Sequence, residues 1–114
     1  MIYRLYFIFP GPPLPLPIFR FDPEGMKNYY FWLKDLLGTD ALGGGIGIAD
    51  LESTQPIFGN DERGLIYFDF TDRITAFDSI DKHGFVGVLD KMLEFTDIPP
   101  VLQGVYTVDE YTNK

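Results

Sequence analysis

FDPEGMKNYYFWLKDLLG (Phe21–Gly38) carries its own start, stop and buried face. Asp22 is a residue type that caps a helix by accepting backbone N–H bonds, Pro23 suits the first helical position, and Glu24 puts an acid in the first turn. Met26, Tyr29, Tyr30, Leu33, Leu36 and Leu37 then fall on one helical stripe, and Gly38 stops the run. A one-sided helix must bury its stripe against another layer, so its flanks decide the fold.

Upstream, Ile2–Phe9 reads as a strand. Tyr3, Leu5, Phe7 and Phe9 form one face, and Ile2, Arg4, Tyr6 and Ile8 the other. Pro10–Pro17 (PGPPLPLP) follows, with five prolines in eight positions. Proline fixes φ and cannot donate to a sheet ladder, so the segment reads as an extended connector into a short second strand, Ile18–Phe21. Pro12–Pro15 (PPLP) also matches what polyproline-binding domains accept, but strand-like flanks make it an internal loop. A signal peptide fits poorly, since Arg4 is the one early charge and no small-residue cleavage site follows.

Downstream, Leu42–Leu51 opens in glycine and leads to a strand over Ile46–Leu51. Ser53–Gly64 is polar, with Pro56, Gly59 and Asn60, and reads as a surface loop. Leu65–Phe70 is a strand, and Thr71-Asp72 turns it into Arg73–Phe77 as a hairpin partner. Asp81 caps a second helix over Lys82–Phe95, with Phe85, Val86, Leu89, Met92 and Leu93 as its stripe and Gly84 and Gly87 weakening it. Pro99-Pro100 punctuates before a last strand, Val101–Tyr111, and a polar tail, 112–114. The order ββαβββαβ predicts one α+β domain over 1–114: a mainly antiparallel sheet of five to six strands with two amphipathic helices on one face.

At 46% hydrophobic and 17% aromatic, the 114 residues supply one core. There is no cysteine, which excludes disulfides, thiolate metal sites and thiol nucleophiles and suits a reducing cytosol. No window approaches the ~20 apolar residues of a membrane span, so a soluble cytoplasmic protein is expected. The net charge of −8, from 17 acidic against 9 basic residues, argues against nucleic acid and anionic membranes as partners and for a basic protein.

Catalytic options are few. His83, the single histidine, lies near Asp78 and Asp81 but has no nucleophile beside it. Asp69-x-x-Asp72 and Asp78-x-x-Asp81 lack the pattern of a calcium loop and read as turn and cap residues. Gly43–Gly47 (GGGIG) is not followed by Lys-Ser/Thr and is preceded by a helix, the reverse of a phosphate-binding context. No enzyme, metal or cofactor is expected. The leading expectation is an acidic protein-binding module, monomeric or weakly dimeric, in the form of an inhibitor or immunity protein that neutralises a basic, nucleic-acid-acting partner. Its candidate contacts are Asp50, Glu52, Asp61, Glu62, Asp69, Asp72, Asp78 and Asp81, with Phe31, Trp32 and Phe58 as aromatic anchors. The alternative is a small-ligand or metal-binding protein or enzyme that uses the glycine loop and the Asp69–His83 region.

Overall fold

The computed structural model describes residues 1–11, 20–50 and 61–111. The elements are β1 (Ile2–Gly11), α1 (Pro23–Leu37), β2 (Gly43–Ile48), β3 (Asp61–Phe70), α2 (Arg73–Lys82), α3 (Phe85–Met92) and β4 (Val101–Val108), with a 3-10 turn at Gly38–Asp40 after α1. The strands form one antiparallel sheet in the order β2-β3-β1-β4. The architecture is therefore α+β as expected, with four strands and three α-helices among the described residues in place of five to six and two.

α1 matches its sequence signals. The Asp22 carboxylate accepts from the Glu24 N–H, Pro23 opens the helix, and Gly38 ends it at φ 58° while its N–H donates to the Lys34 carbonyl. Met26, Tyr29, Tyr30, Leu33 and Leu37 are buried. They meet the inward face of the sheet, where Leu5, Phe7 and Phe9 of β1 alternate with Ile66, Phe68 and Phe70 of β3. Ala76 and Ile80 of α2 and Val88 and Met92 of α3 join the same core, so all three helices pack on one face.

Three differences have local causes. Arg73–Phe77 is helix where a hairpin strand is expected, because Asp72 is an N-cap: its carboxylate accepts from the Thr75 N–H at 2.8 Å and from the Thr75 hydroxyl at 2.8 Å. The expected helix Lys82–Phe95 is the shorter α3, Phe85–Met92, because Gly84 at φ 85° turns the chain after α2, which already ends at Lys82. Asp81 accordingly lies in the last turn of α2 and caps nothing. The glycine-rich segment is itself strand β2, and β3 begins at Asp61, inside the expected loop.

β1 runs past Phe9 to Pro10 and Gly11, and a register shift against β3 falls between Phe9 and Pro10. Proline is tolerated there because a bulge already interrupts the ladder. The rest of the proline connector, 12–17, the first half of the short second strand, 18–19, and the body of the expected loop, 53–60, lie outside the described residues, as does the tail 112–114. Phe21, the last residue of that strand, makes an isolated bridge to Thr96. Arg20 fastens the same junction: its guanidinium donates to the carbonyls of Leu93 and Glu94, and its N–H to Asp97. β4 stops at Val108, short of the expected Tyr111. No helix among the described residues is long and apolar enough to cross a membrane.

Candidate functional site

The outward face of the sheet departs from the usual pattern. An antiparallel sheet with one solvated face alternates apolar-in with polar-out. Here the outward positions of β1 are Ile2, Arg4, Tyr6 and Ile8, and opposite them β3 places Leu65, Tyr67 and Asp69. β4 adds Tyr106 opposite Arg4 and Val108 opposite Ile2. Among these, Arg4 and Asp69 alone carry charge, and they neutralise each other: the Arg4 Nε donates to Asp69 at 2.7 Å and Nη2 at 3.1 Å. That hydrogen-bonded pair, part-buried on the sheet, holds the Arg4 guanidinium above its already high pKa.

The aromatic rings on this face are organised. The Arg4 guanidinium lies 4.2 Å from the centre of the Tyr67 ring. Tyr6 contacts Tyr67 at 6.0 Å and Tyr106 edge-on at 5.6 Å between centroids. β2 makes this possible by presenting glycine outward: Gly45 pairs with Tyr67, and a Cβ there would stand 2.6 Å from the Tyr67 hydroxyl. Next to the rings, Tyr6, Ile8, Leu65, Tyr106 and Val108, with Thr107 and Asp109, line an open recess of about 430 Å³. No helix among the described residues covers it, because α1, α2 and α3 pack on the opposite face.

The sequence-derived candidates are dispersed around this frame. Asp69 belongs to the outward face but is occupied by Arg4. Asp72 caps α2, and the Thr75 backbone and hydroxyl bonds hold its carboxyl below the usual carboxylate range. Asp78 and Asp81 are exposed on α2, on the helical side, and Asp50 is exposed after β2. Asp61 and Glu62 open β3 with side chains outside the described part, and Glu52 and Phe58 lie wholly outside it. The helices and strands thus do not bring the described carboxylates into one acidic patch.

The Asp69–His83 region is likewise divided, since Asp69 faces outward from the sheet while His83 ends α2 on the other side. The described residues contain no cluster of three or more groups able to hold a metal ion. Phe31 and Trp32 are exposed at 48% and 36%. Trp32 leans on Tyr29 at 5.5 Å between rings, at the edge of a recess of about 270 Å³ between α1 and the end of α3.

The residues that sequence reasoning missed are Tyr6, Ile8, Leu65, Tyr67 and Tyr106. Their signal was present in β1, whose second face is nearly as apolar as its first.

No family model matches the chain, and no curated protein matches it in sequence. Among solved structures, an EthD-like protein from Ralstonia eutropha JMP134 is similar to it at a TM-score of 0.67 and 18% identity, over 92% of this chain and 89% of that one. At that identity the likeness is one of fold, and it places this chain's α+β sheet-and-helix arrangement among known architectures.

Proposed function

We propose that the protein is a protein-binding module whose interface is the outward face of the sheet. The observation that carries the reading is the apolar, tyrosine-bearing character of positions that a solvated sheet fills with polar side chains. Tyr and Arg are enriched in the buried centres of interfaces, and Tyr6, Tyr67, Tyr106 and Arg4 supply them. The recess between Ile8 and Tyr106 is of a size to receive an apolar side chain of the partner. The chain's −8 charge, with Asp109 among the residues lining the recess, favours a partner that pairs an apolar centre with basic groups. The narrower role of inhibitor or immunity protein gains nothing from the fold and depends on who the partner is.

The test compares Ile8→Glu with the double variant Asp61→Lys, Glu62→Lys in binding to a partner captured from the source cell and then purified. Ile8→Glu is expected to abolish binding while its thermal unfolding stays close to native. The charge-reversed variant is expected to keep the complex but to slow association and lose its salt dependence. If Ile8→Glu binds like the native protein, the sheet face is not the interface. If the native protein sediments as a dimer and Ile8→Glu as a monomer, the occupant is a second copy, and the foreign basic partner is ruled out.

A further inference from the structure

A second recess lies on the helical side, away from the outward sheet face. The recess between α1 and the end of α3 has aromatic walls. Tyr29 and Phe95 are buried with ring centroids 5.5 Å apart, and Trp32 stands against Tyr29 as the exposed side. The Tyr29 hydroxyl donates to the Val88 carbonyl at 2.8 Å, which fixes that wall. Glu94 and Asn28 are the polar groups at the mouth. One lining residue already brings a cation to the tryptophan: the Lys91 ammonium sits 5.0 Å from the Trp32 ring centre and 3.4 Å from a Glu94 carboxylate oxygen.

We propose that this recess binds an organic ammonium cation of the methylated or quaternary kind, with Lys91 as its resident stand-in. Aromatic faces attract cations through the ring quadrupole, and cages of such rings take alkylated ammonium groups in preference to smaller, strongly hydrated ones. The primary ammonium of Lys91 is strongly hydrated. A trimethylammonium group gives up less hydration on entry and fits easily within about 270 Å³. Glu94 supplies the counter-charge, and the chain's net −8 raises the local concentration of any cation.

Trp32 is the single tryptophan, so its emission reports on this recess alone. The experiment titrates the intact protein at constant ionic strength with choline, with 3,3-dimethylbutanol (its neutral isostere) and with a trimethyllysine-bearing peptide. Choline or the peptide is expected to give a saturable change in emission and the neutral isostere none; which of the two binds tighter identifies the source of the cation. Lys91→Ala removes the resident competitor and is expected to tighten binding by about 3- to 10-fold. Glu94→Gln is expected to weaken it by about 2- to 5-fold. Glu94 is exposed and Lys91 half-buried outside the core, so neither variant threatens folding. A flat response to both cations in the native protein and in Lys91→Ala overturns the proposal, as does equal binding of the neutral isostere.

Discussion

Tyr29 sits where α1, α3 and the aromatic recess meet, and its environment makes a prediction about pH. Its ring is buried against Phe95 and Trp32, and its hydroxyl is spent on the Val88 carbonyl. Burial disfavours the phenolate, so the Tyr29 pKa is pushed well above its ordinary value. A pKa raised in the folded state stabilises the fold fully below the unfolded value of about 10, and that contribution is lost as pH rises from there. Tyr29→Phe removes both the bond and the titration. It is expected to cost about 1 kcal/mol near neutral pH, since one buried hydrogen bond is lost while the ring stays. Its stability is also expected to fall less steeply than the native protein's between about pH 10 and 11. Urea unfolding at neutral and alkaline pH measures both, and parallel alkaline slopes would show that Tyr29 does not titrate with unfolding.

At the scale of elements, α1 and the α2–α3 pair show what a sequence can and cannot announce. The ends of α1 are marked by contacts within two to four residues, Asp22 to Glu24 and Gly38 to Lys34, so local chemistry suffices. α2 hides its face. Ala76, Ser79 and Ile80 point inward, while the larger Ile74 and Phe77 are exposed at 69% and 73%, which misleads any reading by hydrophobic period. Asp72 serves equally as a turn residue and a cap, and only the helix that follows decides between them. Gly84 and Gly87 looked alike in sequence but do different work. Gly84 holds φ 85° between the helices, a conformation that a side chain strains, whereas Gly87 lies inside α3 with open space where a Cβ would go. Gly84→Ala is therefore expected to destabilise by about 1–3 kcal/mol. Gly87→Ala is expected to stabilise by about 0.5–1 kcal/mol through better helix propensity. Thermal unfolding of the two single variants checks the sign directly, and equal shifts would remove the break at Gly84 from the account.

For the molecule as a whole, the sheet has two apolar faces and one helical layer. The alternation in β1 made both faces visible in the sequence. Their meaning was not visible, because it depends on β1 lying between β3 and β4, and those pairings reach fifty residues or more along the chain. The recess at Trp32 was closed to sequence reading for the same reason, since Lys91 and Glu94 reach it only through the packing of α3 on α1. The two faces can be separated at adjacent residues of one strand. Phe7 is fully buried beneath the helices, and Phe7→Ala is expected to cost about 3–5 kcal/mol from lost burial and the cavity left behind. Ile8 faces outward beside the open recess, and Ile8→Ala is expected to cost about 1 kcal/mol or less in the isolated protein. The order should reverse in dependence on the partner. A partner at one hundred times its Kd stabilises the native fold by about 2.7 kcal/mol through mass action. Ile8→Ala should forfeit most of that gain, whereas Phe7→Ala, weakened throughout, should retain it in whatever fraction remains folded. Unfolding curves of the native protein and both variants, with and without the purified partner, measure all six states. An Ile8→Ala protein that gains as much from the partner as the native one would mean that the second apolar face is not where the partner sits.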